Sequence, residues 1–311
     1  MADTSPARGR WAVRPVAPEP RSIVELIRGG TLDAQLAATL WLLVEARVPL
    51  IVAGEGRRAG KTTLLGALLQ FVPTEVRVVE LAGTAETFEW LPQATELGWP
   101  GASRPPSDGH VVRPDSTLLV AAELSDHLPA YTWGGAARLA VRAATIGYGL
   151  AATIHADALD AVFDQLGRSP VGLTGDELSY LGVVIVLKRV DGARRRIVAA
   201  HYVRPVSRDV GGHVQRLGPA VLATWDPVRD RLEHFGWGVV PELARRVGRR
   251  AGDFEVEADA RRVVLEQLSA SGVANVDRVQ AAITSYRLTA GTPATSVAPA
   301  SSRIPTRPAP N

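Results

Sequence analysis

The stretch "LIVAGEGRRAGKTTLLGALLQF", Leu50 to Phe71, decides the fold. Pro49 to Ala53 is a short apolar run suited to a buried parallel strand, and Thr62 to Phe71 carries leucines at helical spacing. Between them lies a glycine turn of the kind that wraps backbone N–H groups around a phosphate, backed by the positive end of a new helix. The common pattern sets four residues between a first glycine and Gly-Lys-Thr. Here five residues separate Gly54 from Gly60, and Glu55 stands where a glycine is usual. Gly56 and Gly60 still allow the wrap, Lys61 is placed to reach phosphates, and the Thr62 hydroxyl is placed to ligate Mg2+. Composition adds weight to the lysine: of 35 basic residues, only Lys61 and Lys188 are lysines. A wide guanidinium fork does not replace a compact ammonium inside such a loop, so a lysine in an arginine-biased chain marks a specific demand. The plainer alternative is a glycine-rich surface turn with a chance Gly-Lys-Thr, which the flanking strand and helix oppose.

At 311 residues and 46% hydrophobic content, the chain can bury one large core, or one core plus a small second unit. No apolar run approaches the ~20 residues that span a bilayer, and "MADTSPARGRW" lacks the apolar segment of a signal peptide. A globular cytoplasmic protein is expected. The absence of cysteine excludes disulfides and zinc-thiolate sites. The net charge of +3, with arginines scattered rather than massed, permits contact with an acidic surface but does not argue for nucleic acid, and none is expected as a partner.

Residues 1–20 and 291–311 are rich in Pro, Ser, Thr and Ala and are expected to be disordered tails. A helical stretch begins near Arg21, followed by Thr31 as an expected N-cap and a stripe at Leu32, Leu36, Leu40 and Leu43. Apolar β-type runs then alternate with helices: Val76–Leu81, Thr117–Leu124, Leu150–His155, Val183–Val190 and Ile197–Val203. Most of the connections are long enough for crossovers, which indicates an α/β core with a mainly parallel sheet over residues 21–237. "AVLATWDPVRDRLEHFG" reads as two strands around Asp226-Pro227. A small helical appendage over 238–290 follows, with Ala260, Val264 and Leu268 on one face, Gly272 as a stop, Asn275 as a cap, and Val276, Val279, Ile283 and Tyr286 as the next stripe.

Three further segments carry chemistry. "VRVVELAGTAETFEW" is a strand followed by the acids Glu80 and Glu86, "TLLVAAELSD" a strand ending in Glu123, and "TIGYGLAATIHADAL" a glycine turn, a strand and His155. In a sheet with a phosphate loop the C-terminal ends of the strands converge on the ligand, so acids and a histidine placed there can hold metal, orient water and sense a phosphate. Glu80 and Glu86 read equally well as solvated loop acids. Glu123 is the sharper candidate, because an acid at the end of so apolar a strand needs a partner. His155, taken alone, reads as a hydrogen-bonded edge histidine.

In order and spacing, "LIVAGEGRRAGKTT", "VVEL…AE", "RPDSTLLVAAE" and "GYGLAATIHAD" resemble the four motifs of the type II/IV secretion ATPase family, motors of pilus assembly, secretion and the archaeal flagellum. "GARRRIVAAHYV", "WDPVRDRLEHF" and the last helices extend the resemblance over residues 21 to 290. It implies a RecA-like P-loop NTPase core with a C-terminal β-hairpin and helices, ATP and Mg2+ as cofactors, and a hexameric ring at the cytoplasmic face of the membrane beside an inner-membrane platform protein. Gly54, Gly56, Gly60, Lys61, Thr62 and Thr63 would then bind phosphate and Mg2+, Thr62 as the metal ligand. Glu123 would be the catalytic glutamate, Glu80 the acidic-box residue and His155 the histidine-box contact. Several positions depart from the family: Leu81 where an Asp is common, Ala122 for a glycine, Ser125 for an arginine and Tyr148 for a histidine. Family members also carry a larger N-terminal domain that helps supply arginines, so either a separate chain provides it or the site works poorly, with Arg113 as an internal candidate for the arginine. Two functions follow from the resemblance: a motor ATPase for pilus assembly or secretion, or a hydrolysis-deficient nucleotide-binding relative that assembles with an active motor. A P-loop small-molecule kinase is disfavoured by the missing lid-like arginine segment.

Overall fold

The computed structural model describes residues 20–290 apart from 57, 101–111, 209–210 and 212. The expected tails lie outside the described residues except for Pro20. α1 (Ile23–Arg28) starts from Ser22, whose hydroxyl accepts from the Glu25 N–H while the Glu25 carboxylate accepts from the Ser22 N–H. α2 (Ala34–Glu45) is capped by Asp33, which accepts from Leu36 N at 2.8 Å. Thr31, the expected cap, lies two residues earlier, and its carbonyl accepts from Ile197 N at 2.8 Å, tying the turn to the sheet instead.

Then come β1 (Leu50–Ala53), α3 (Lys61–Leu68), β2 (Arg77–Glu80), β3 (Thr117–Leu124), α4 (Gly134–Thr145), β4 (Gly149–Ile154), α5 (Leu159–Gly167) and α6 (Gly175–Leu178). The chain continues through β5 (Val183–Val190), β6 (Arg194–Tyr202), the short pair β7 (Ser207–Arg208) and β8 (Val214–Gln215), and the hairpin β9 (Ala220–Asp226) and β10 (Arg231–His234). It closes with α7 (Val240–Arg246), α8 (Ala251–Ala270) and α9 (Val276–Ala290).

One eight-stranded sheet organises these elements in the order β10-β9-β6-β5-β1-β4-β3-β2. Strands β5, β1, β4, β3 and β2 run parallel, and β6, β9 and β10 add on antiparallel. The fold is the expected α/β one, with a mainly parallel sheet. β1 sits inside the sheet, so both its faces are covered. Leu50 and Val52 join the core with α1, α2, α3 and the C-terminal helices, while Ile51 and Ala53 join the core with α4 and α5. The β5-to-β6 connection is a three-residue hairpin rather than a crossover: Val190 pairs with Arg194, and Asp191 (φ +47°) and Gly192 (φ +72°) take left-handed backbone in the turn.

The last helices pack on α2. Trp41 of α2 is fully buried, stacks on Phe71 at 5.0 Å and meets Tyr286 of α9 edge-on at 5.3 Å. Arg261 of α8 lies 4.8 Å over the Trp41 ring and pairs with Glu45 and Glu257. Gly272 (φ +71°) follows α8, and Asn275 accepts from the N–H groups of Asp277 and Arg278 at the start of α9. Among the described residues, no helix is long and apolar enough to cross a membrane.

Candidate functional site

The glycine-rich loop expected to bind phosphate begins where β1 leaves the sheet. The ladder runs one step past the strand, with Gly54 N donating to Ile154 O at 3.2 Å. Gly54 is packed so tightly that a Cβ there would come 2.9 Å from Leu187 O and 3.2 Å from Lys61 Cγ. The loop then turns through Gly56 (φ +81°), Arg58 (φ +68°) and Gly60 (φ +98°), the N-cap of α3. Among the described residues, no side chain caps that helix. The first-turn N–H groups of Lys61, Thr62 and Thr63 therefore have no capping oxygen, which suits an incoming anion. Thr62 is exposed, and its hydroxyl makes no hydrogen bond among the described residues, so it remains open to a metal ion.

Lys61 turns inward. It is 8% exposed, its Nζ donates to Gly54 O at 3.1 Å, and it stands 3.6 Å from Glu123 Oε2. Glu123 is brought there by a bulge. Between the pairs Ala121–Ala152 and Leu124–Ile154, β3 has two residues, Ala122 and Glu123, where β4 has only Thr153. Thr153 Oγ1 donates to Ala122 O at 2.7 Å, satisfying a carbonyl beside the bulge. The sequence placed Glu123 at a strand end; the bulge is what puts its carboxylate beside the lysine.

His155 follows β4, which lies between β1 and β3, so the histidine emerges between the loop and Glu123. It is half-buried, its ring is 6.2 Å from that of His127 in a T-shaped arrangement, and its carbonyl accepts from Gln165 Nε2 at 2.7 Å. The sequence reading passed over His127. Glu80 stands apart: it ends the edge strand β2, is exposed, and is level with Val120 of β3. Among the described residues no hydrogen bond or ion pair joins it to Lys61, Glu123 or His155.

Several residues serve other ends than those weighed from sequence. Glu86 is 8% exposed and accepts from the N–H groups of Ala82, Thr87 and Phe88 and from Trp90 Nε1, at 2.8 to 3.1 Å, so it organises the loop after β2. Tyr148 is buried, donates to Gln93 Oε1 at 3.0 Å, and has its phenol pushed up to about 12 by burial. Ser125 is 5% exposed with its hydroxyl unpartnered. Arg113 precedes the first residue of β3, while Glu123 lies near the last. At ~3.3 Å per strand residue the two ends are ~20 Å apart. Arg113 therefore does not serve this chain's own loop, which corrects the sequence expectation. The arginine that does touch the loop is Arg195 of β6: its Nε and Nη2 donate to Arg58 O at 3.2 and 3.0 Å. The run Arg194-Arg195-Arg196 after the Asp-Gly turn was the available signal, but which arginine meets the loop depends on the β5–β6 register.

No protein-family model matches the chain. Two relatives from Methanocaldococcus jannaschii align with it. Uncharacterized protein MJ0900 is 27% identical over 281 residues, covering 86% of this chain and 49% of the relative. Uncharacterized protein MJ1287 is 26% identical over 243 residues, covering 75% and 84%. The chain thus spans about half the length of the first relative. Among solved structures, the VirB11 ATPase from the Brucella suis type IV secretion system, in complex with sulphate, superposes with a TM-score of 0.37 and 22% identity, over 58% of this chain and 54% of that one. The Legionella pneumophila ATPase DotB superposes with a TM-score of 0.33 and 12% identity, over 88% and 62%.

Proposed function

We propose that this chain binds Mg·ATP at the Gly54–Thr63 loop and hydrolyses it as a motor component of pilus assembly or type II/IV secretion. The observation that carries the nucleotide site is the buried Lys61 held 3.6 Å from Glu123 above an uncapped helix start. A phosphate chain entering the loop takes the N–H groups of α3 and draws Lys61 away from Gly54 O and Glu123. Glu123, freed from the lysine, is placed to polarise a water and accept its proton. Thr62 offers the hydroxyl that would hold Mg2+, and the metal, when bound, neutralises charge on the phosphate oxygens. His155, beside the same opening, is the group available to contact the terminal phosphate.

The motor role rests on the motif resemblance. Glu55, Arg58, Thr62 and Glu80 are all exposed, so the rim of the site is open in the single chain. A neighbouring copy in a hexameric ring, or a separate chain supplying a further domain, would close it and contribute the missing arginine. A platform protein at the cytoplasmic face of the inner membrane completes the proposed assembly. A second reading, binding without turnover, is favoured by Ser125, a buried hydroxyl two residues after Glu123, which leaves Lys61 as the cation in contact with Glu123 among the described residues. Calorimetric titration with Mg·ATP and phosphate release, alone and with neighbouring gene products, separate the two. Lys61→Ala is expected to weaken binding by at least about a hundredfold with the fold kept. Unchanged affinity in that variant would sink the site.

A further inference from the structure

We infer that Arg195 is a positioning residue for the enlarged phosphate loop, aiming a backbone N–H of that loop at the nucleotide; this rests on the nucleotide site proposed above. β6 begins with three arginines, and alternation along the strand sends the middle one away from its neighbours. Arg194 and Arg196 reach Asp230 in the β9–β10 turn, at 2.9 and 2.8 Å, and Arg196 also donates to Gly29 O at 2.9 Å. Arg195 instead reaches the loop. Two of its donors converge on one acceptor, Arg58 O, and its stem fills the space beside Gly60, where a Cβ would come within 2.5 Å of Arg195 Cδ.

The consequence follows from the planarity of the peptide unit. In a trans peptide the C=O and the next N–H point in opposite directions, so a guanidinium that holds the Arg58 carbonyl on its own side turns the Ala59 N–H to the other. Ala59 is 4% exposed, and its N–H has no hydrogen-bond partner among the described residues. A buried, unpaired N–H in a phosphate loop is a donor reserved for a ligand. Without Arg195 the peptide between Arg58 and Ala59 is free to flip, presenting a carbonyl to the phosphates. The extra residue gives the loop this freedom, and the two-pronged clamp removes it.

Mg·ADP titration by calorimetry on the full chain tests this with wild type, Arg195→Met, Arg195→Lys, Arg194→Ala and Lys61→Ala. Methionine keeps the stem against Gly60 but loses both donors, so affinity should fall by about tenfold or more, with the melting temperature in the absence of nucleotide close to wild type. Lysine restores one donor and should recover part of that loss. Arg194→Ala removes a nearby charge without touching the loop and should stay within about twofold. The clamp is refuted if Arg195→Met binds like wild type, or if Arg194→Ala weakens binding as much. If wild type binds no Mg·ADP, or Lys61→Ala binds it equally well, the nucleotide site itself falls and the clamp with it.

Discussion

Replacing Glu123 by glutamine separates two effects that the geometry gives to one carboxylate. Oε2 lies 3.6 Å from Lys61 Nζ, and the two side chains are 14% and 9% exposed. At an effective dielectric of ~20, charges at this distance attract by about 4–5 kcal/mol. Much of that is offset by the desolvation both groups undergo, so the net hold on the lysine is smaller. A phosphate approaching Lys61 competes against whatever remains. The amide is nearly isosteric and uncharged, so Glu123→Gln should bind Mg·ATP as tightly as wild type or up to about tenfold more tightly. Turnover should move the other way. An amide does not take the proton of an attacking water, and losing a positioned base costs ~10²–10³ in kcat. Calorimetry gives the first quantity and single-turnover phosphate release the second. Equal measurable turnover in variant and wild type would make Glu123 a structural partner of Lys61 and turn attention to Glu80. A marked loss of affinity would refute the competition between carboxylate and phosphate, even in a chain that does not hydrolyse ATP.

Glu86→Ala should destabilise the fold by about 2–4 kcal/mol in denaturant unfolding, because it strands the N–H groups of Ala82, Thr87 and Phe88 and the Trp90 indole; nucleotide affinity should not change, and a selective loss of binding would return this acid to the site. His201, half-buried on β6, has its imidazole pushed below 6.5 by burial, with Asp160 opposing that shift. The unfolded chain therefore binds the proton more readily, and stability should decline as pH falls through the unfolded value near 6.5 towards the lower folded one. His201→Gln should flatten that part of the pH–stability curve, and an unaltered curve would show that other groups set it.

The parts of the fold that rest on local pattern were legible in the sequence. β1 could be recognised because a strand buried on both faces is a continuous apolar run, and β3 and β5 end where the apolar runs Thr117–Leu124 and Val183–Val190 end. Gly272 and Asn275 announced the break between α8 and α9 because left-handed backbone and capping are single-residue chemistry. What depends on contacts between distant residues was hidden. Thr31 and Asp33 are both competent caps, and the choice fell to Asp33 because β6 claims the Thr31 carbonyl. Glu86 looks like a loop acid until the loop folds round it. Arg113 lies close to Glu123 in sequence, yet the full length of β3 separates them.

Whether the lengthened loop is a working site or a remnant can be argued from where the local rules are broken. A lysine and a glutamate are desolvated together, Arg58 holds a left-handed backbone, and the N–H of the buried Ala59 has no partner among the described residues. Each of these costs folding free energy, and each lies within the stretch from Gly54 to Thr63 or directly against it. The uncapped start of α3 is not diagnostic by itself, since among the described residues α4, α5, α7 and α8 also begin without a side-chain cap while Ser22, Asp33, Thr174 and Asn275 cap theirs. A loop drifting out of use would lose its costly features first, since nothing offsets them. Here the supports are in place instead: a bulge aims Glu123, Thr153 satisfies the carbonyl beside it, and Arg195 grips the turn that carries the extra residue. A desolvated ion pair and a left-handed turn braced from β3, β4 and β6 fit a site held ready for a charged ligand.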